Sequence, residues 1–122
     1  MRRLRLRNEE SLIEAMIVKA LSAKGAFVFK VPNDALWARR VPGAVKGAPD
    51  LVVVAPTGVV GFIEVKTSRG GLSPAQKEVH TQLVKRNALH AVCRSVEDAV
   101  RFYERLCELR ITEKKQTQTE RI

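Results

Sequence analysis

Two cysteines are all the thiol this 122-residue chain has, and neither Cys93 nor Cys107 stands in a CxxC pair or a Cys/His cluster. That spacing excludes a zinc site of the usual kind, and the plain reading is two reduced, partly buried thiols in a cytoplasmic protein. No apolar run approaches the roughly 18 residues of a membrane-spanning helix. No internal repeat is present. The opening "MRRLRLRNEE" lacks the apolar core and small-residue cleavage site of a signal peptide, and the acids Glu9 and Glu10 follow at once, so residues 1–9 read as a mature basic arm carrying Arg2, Arg3, Arg5 and Arg7. Acid is also in short supply: 13 Asp and Glu against 22 Lys and Arg leave a net charge of +9. Such a surplus points to a polyanionic partner, most simply nucleic acid, although ribosome-associated and membrane-surface proteins share it.

What is present describes an ordinary globular domain. Hydrophobic residues at 45% against charged residues at 29% exclude a disordered chain. A chain of this length makes one domain that buries roughly two-thirds of its unfolded surface. Apolar residues at Leu12, Ile13, Met16, Ile17, Ala20 and Leu21 mark a helical stripe that Gly25 stops. "AFVFKV" alternates as a strand does. Residues 32–48 form a long loop with two prolines, the basic residues Arg39, Arg40 and Lys46, and the only tryptophan, Trp37. Loops of that length are usually functional or mobile. "DLVVVA" reads as a strand buried on both faces, "PTG" as a turn, and "VVGFIEVK" as the returning strand. Ser73 and Pro74 read as the N-cap and first residue of a helix running to about Arg86. A short strand "LHAVCR" follows, and Ser95 caps a last helix ending near Leu109. The expected fold class is α/β, a mixed central sheet flanked by helices in the order α-β-β-β-α-β-α. The domain spans residues 10–109, and the polar tail 110–122 is expected to fray.

Three charges interrupt the apolar pattern. Residues two apart in a strand share a face, so Glu64 and Lys66 point one way while Ile63 and Val65 point the other. If Pro56-Thr57-Gly58 is a three-residue turn centred on Thr57, Ala55 pairs with Val59, and counting back places Asp50 opposite Glu64. A bulge at Gly61 would shift that register. Opposed side chains have Cβ atoms roughly 4.5–5.5 Å apart. Two carboxylates at that separation do not both stay ionised unless a cation lies between them, and oxygen ligands favour a hard ion such as Mg²⁺ or Mn²⁺. A lysine beside such an ion orients water or stabilises charge on a phosphate oxygen. The plainer alternative is a set of solvated strand-end charges, which Glu64, enclosed by "VVGFIEV", argues against.

Pro49-Asp50, Glu64-Val65-Lys66, Gly47 two residues before the proline, and the run Gly70-x-Leu72-Ser73-Pro74-x-Gln76 together resemble the virus-type replication-repair nuclease (VRR-NUC) domain of the PD-(D/E)xK nuclease superfamily. The resemblance covers roughly residues 10–100. It implies a restriction-endonuclease-like fold and metal-dependent hydrolysis of DNA phosphodiesters. Asp50, Glu64 and the Val65 carbonyl would ligate Mg²⁺ or Mn²⁺, and Lys66 would serve the attacking water. Short stand-alone members resemble homodimers that work on branched DNA in replication and repair. The family also carries a glutamate on its first helix, for which Glu14 is the candidate and Glu10 the fallback. The resemblance puts Gln76 at the rim of the site, while Ser73-x-x-Gln76 also reads as a capping box. His80 reads as a surface or DNA-facing residue, and Lys30 as either a phosphate contact or an edge charge. Arg39, Arg40 and Lys46 suit phosphate contacts, with mere solubility as the alternative. Trp37 pins the loop to the core or stacks on a base. The reading from another class is a non-catalytic DNA-binding module of the same fold.

Overall fold

The computed structural model describes residues 2–32 and 38–109, with side chains from residue 8 onward. Its elements are α1 (Arg2–Ala23), β1 (Phe27–Lys30), β2 (Leu51–Val54), β3 (Val60–Val65), α2 (Pro74–Lys85), β4 (Leu89–Cys93) and α3 (Val96–Glu108). The order α-β-β-β-α-β-α is the expected one. The strands form one sheet in the order β1-β2-β3-β4, antiparallel except for the parallel β3–β4 pair that α2 connects. Trp37 and the tail 110–122 lie outside the described residues, as do the side chains of Arg2, Arg3, Arg5 and Arg7.

Helix α1 begins at Arg2, well before the apolar stripe, so the segment expected as a separate arm is helical from its second residue. Residues 2–10 contain no glycine, proline or β-branched residue, and Arg, Leu and Glu are good helix formers. The stripe is also narrower than expected. Ile17 and Leu21 are fully buried and Ile13 packs beside them, while Leu12 and Met16 are exposed. One column at i, i+4, i+8 reaches the sheet, and the neighbouring column, turned about 100° away, does not.

The β2–β3 hairpin closes as expected. Ala55 N–H donates to the Val59 carbonyl at 2.9 Å and Gly58 N–H to the Ala55 carbonyl at 2.8 Å. Gly58 has φ +91°, a left-handed conformation open to a residue without Cβ. The register runs Val54–Val60, Val53–Gly61, Val52–Phe62 and Leu51–Ile63 without a bulge. Gly61 serves packing instead: a Cβ there would lie 2.7 Å from Phe102 Cζ, so its absence lets α3 settle directly on β3.

One face of the sheet is closed. Leu51, Val53, Ile63, Val65 and Cys93 meet Ile17 and Leu21 of α1 and Ala99, Tyr103 and Leu106 of α3, all buried. The Tyr103 hydroxyl donates to the Lys24 carbonyl at 3.1 Å, satisfying an orphan group at the end of α1. Burial pushes the Cys93 thiol up to about 12, leaving it inert, while Cys107 is exposed.

The other face is only partly covered, by α2 packed against β4. There His80 of α2 meets His90 edge-on at 4.9 Å, so it is half-buried rather than free on the surface, and desolvation and the His90 charge lower its pKa. Toward β1 the face opens. Val52 and Val54 are half-buried, so β2 is closed on one side only, against the expectation of a strand buried on both. In β1 the alternation places Ala26 and Val28 inward and both phenylalanines outward.

Candidate active site

The chemistry-bearing residues gather where the hairpin opens. The β2–β3 ladder ends at Leu51–Ile63, and one further step of the same register brings Asp50 opposite Glu64, as the turn geometry anticipates. Pro49 is buried, and Asp50 is held by both its neighbours: its N–H donates to the Ile63 carbonyl at 3.0 Å and its carbonyl accepts from Val31 N–H at 2.8 Å. Beyond the ladder β2 offers β3 no backbone acceptor. The Asp50 side chain takes that place, with Oδ2 accepting the Val65 N–H at 2.7 Å.

Glu64 is 2% exposed. Its Oε2 accepts from Gln76 Nε2 at 3.0 Å, and its Oε1 is buried without a hydrogen-bond partner among the described residues. Burial first, then the charge and close approach of the Asp50 carboxyl, push Glu64 up to about 9. Lys66 pulls the other way, and the negative charge of Glu10 adds to the rise. Two acids thus share one desolvated place that holds too little positive charge for both.

Gln76 makes the expected capping box and reaches Glu64 with the same amide. As the third residue of α2 its Oε1 accepts from Ser73 N–H at 2.9 Å while Ser73 Oγ accepts from Gln76 N–H at 3.1 Å, completing the capping box. With Oε1 so engaged, the NH₂ end faces Glu64. The loop before Asp50 leans on the same turn of helix. Gly47 has φ +87°, and a Cβ there would lie 2.5 Å from the Ala75 carbonyl carbon and 2.7 Å from Gln76 N. Only glycine allows the chain that delivers Asp50 to press against the turn that delivers Gln76.

Lys66 is buried, shares the face of Glu64, and is anchored by its N–H donating to the Cys93 carbonyl at 3.0 Å. The loop after it is fastened by a residue the sequence does not single out. Arg94 donates from Nη1 to the Thr67 carbonyl at 2.6 Å and to the Gly70 carbonyl at 2.5 Å, while Asp98 holds the Arg94 N–H at 2.8 Å. Nothing local marks this arginine, because its partners are 24 and 27 residues away.

The first-helix carboxylate divides in two. Glu14 is engaged by Lys30 at 2.9 Å, an ion pair that raises the Lys30 pKa, with Asp50 adding to the rise. Glu10, one turn earlier, is the carboxylate whose charge reaches Glu64. Among the described residues no three His, Cys, Asp or Glu side chains converge as a ready-made metal cage. Arg39, Arg40 and Lys46 are exposed on the loop leading to Asp50, with Arg40 at φ 58°.

A solved structure described as a VRR_NUC domain aligns with a TM-score of 0.63 at 28% identity, over 79% of this chain and 95% of that one. No curated protein matches the chain. A family model for the VRR-NUC domain matches residues 6–97, which take in most of α1 together with Asp50, Glu64, Lys66 and Gln76. The chain therefore belongs to the VRR-NUC domain family, a family of nucleases.

Proposed function

We propose that this protein is a Mg²⁺- or Mn²⁺-dependent endonuclease that hydrolyses DNA phosphodiester bonds at the Asp50–Glu64–Lys66 site, with branched or junction DNA in replication and repair as its substrate class. The observation that carries the reading is the unpartnered, buried Glu64 Oε1 beside Asp50. An acid desolvated next to another acid is costly unless it serves a cation or a proton transfer.

The donor set fits a hard divalent ion: Asp50, Glu64 and the Val65 carbonyl are all oxygen donors, and Glu10 or Glu14 could complete them from α1. Such an ion, when bound, supplies Lewis-acid activation of water and neutralises charge on the phosphate. The chain supplies the rest. Gln76 fixes the plane of the Glu64 carboxylate. The Val65 N–H fixes that of Asp50. Lys66 places a cation where a water must be aligned for attack on phosphorus. As the new P–O bond forms and the bond to the leaving sugar oxygen breaks, its ammonium stabilises the negative charge that builds on the phosphate oxygens. Arg39, Arg40, Lys46 and, beside Glu14, Lys30 would hold the flanking phosphates. By the family resemblance, the working unit is a homodimer.

A panel of labelled linear and branched DNAs with and without Mg²⁺ tests this reading. Divalent-dependent cleavage that is lost in Glu64→Gln supports it. Tight binding without cleavage of any DNA under either ion favours the non-catalytic alternative, in which the Glu14–Lys30 pair holds the helix carboxylate away from chemistry.

A further inference from the structure

Strand β1 is inverted for a sheet edge: Val28, with Ala26 just before the strand, turns toward the core, and its two phenylalanines face out. Phe27 is 66% exposed and Phe29 44% exposed, and their rings touch at a centroid separation of 5.4 Å and a tilt of 45°. An edge strand that displays two phenylalanines carries an aggregation liability unless something covers them. Both lie on the sheet face that holds the candidate active site. Phe29 stands opposite Val52, Val52 opposite Phe62, and the next row along that face is Asp50 opposite Glu64. Strands about 4.8 Å apart with a rise of about 3.4 Å per residue put Phe29 roughly 8 Å, Cα to Cα, from Asp50. That is two to three nucleotide steps of a stacked strand, at about 3.4 Å each, and fewer of an unstacked one.

We propose that Phe27 and Phe29 form a stacking platform for an unpaired base next to the phosphate held at Asp50 and Glu64. The substrate would then be DNA with a single-stranded element abutting the cut. The proposal rests on the nuclease reading above and adds what selects the substrate. Bases in a duplex are stacked on each other and cannot use such a platform, whereas an unpaired base has a free π-face. The chain's net charge of +9 suits a polyanion, and the exposed Arg39, Arg40 and Lys46 on the loop leading to Asp50 bring positive charge to the end of the sheet that Phe29 adjoins.

The test measures binding in EDTA, so that no cleavage enters. A duplex with a short thymine overhang is compared with a blunt duplex of equal phosphate count, for the wild type and three double variants. These are Phe27→Ala/Phe29→Ala, Phe27→Leu/Phe29→Leu and Phe27→Tyr/Phe29→Tyr. Both side chains are largely exposed, so folding should persist, and a thermal melt checks it. The wild type should prefer the overhang by roughly 5- to 150-fold for each stacked base, the range that alanine substitution gives at such contacts. The preference should vanish in the Ala and Leu variants and survive in Tyr, with the slope of log K against log salt unchanged because no charge is altered. An overhang preference retained by Leu, or absent in the wild type, overturns the platform. So does a sedimentation shift from two chains to one in the Ala variant with overhang binding intact, which would make this face the contact between copies. A wild type that binds the overhang but cleaves nothing sinks the nuclease reading alone, and one that cleaves without any preference sinks the platform alone.

Discussion

The two faces of the one sheet follow opposite rules, although β3 contributes to both through alternate residues. Ile63 and Val65 point into a closed, largely aliphatic layer that they share with buried residues of helices α1 and α3. Glu64 and Lys66 point to the other face, where an oxygen lacks a partner and phenylalanines stand in solvent. On the closed face each residue stabilises the fold. The open face stores unfavourable contacts, and that is where binding and chemistry are expected, because a ligand can relieve them.

That contrast can be broken by mutation. The largest effect is expected on the open face. Asp50→Asn or Glu64→Gln should lower divalent-dependent cleavage by about 10³-fold or more. The melting temperature without metal should hold or rise, since Glu64→Gln removes a group that folding forces to take up a proton and Asp50→Asn removes the charge that opposes its ionisation. Full activity in either variant would sink the assignment. On the closed face Ile17→Ala or Leu106→Ala should cost about 2–5 kcal/mol by denaturant unfolding, with turnover per folded molecule unchanged. A core variant that left stability intact but lost turnover would mean that the faces are not separable.

A subtler separation uses pH. Glu64 is raised in the folded state to about 9, so the folded protein holds its proton where the unfolded chain has released it. This contribution to stability is fully present below the ordinary carboxylate range and falls as pH rises toward about 9, then levels off. Metal-free wild type should therefore lose stability across that window. Glu64→Gln should lose much less, and identical pH profiles would show that Glu64 does not carry the effect. Next in size is Gln76→Ala, which removes the side-chain half of the capping box while leaving the Ser73 Oγ bond, at a cost of up to about 1 kcal/mol, and also frees Glu64 Oε2. Its loss of cleavage should exceed that of Ser73→Ala, which breaks only the cap, and equal losses would reduce Gln76 to a capping residue.

The smallest effect belongs to the loop. Neutralising Arg39, Arg40 and Lys46 should weaken DNA binding evenly across sequences and lower the salt slope by up to about 2.7, near 0.9 for each lost phosphate contact on duplex DNA. An unchanged slope would move the positive charge that matters to another segment, with the arginines of residues 2–7 first in line.

Much of the candidate site was legible along the chain because its geometry is local. A three-residue turn ending in Gly58 dictates which residues of β2 and β3 face each other, and so Asp50 and Glu64 meet. Ser73 and Gln76 are three apart at a helix start, which suffices for a capping box. The start of α1 is not legible in apolar periodicity, because its first turns are helical by propensity and carry no apolar stripe.

By itself, then, the sequence determined the order of elements, the hairpin register and the pairing of two acids with a lysine on one face, since all of these follow from turn chemistry and from periods of 2 and 3.6 residues. Only the tertiary structure decided how deeply Glu64 is buried, that Lys30 engages Glu14 while Glu10 is felt at Glu64, and that Arg94 fastens the loop behind Lys66. It also decided which side of β1 meets solvent, because alternation separates Phe27 and Phe29 from Val28 without saying which side a helix will cover. These are contacts between residues far apart in the chain, and they depend on where α1, α2 and α3 come to rest on the sheet, which no local pattern records.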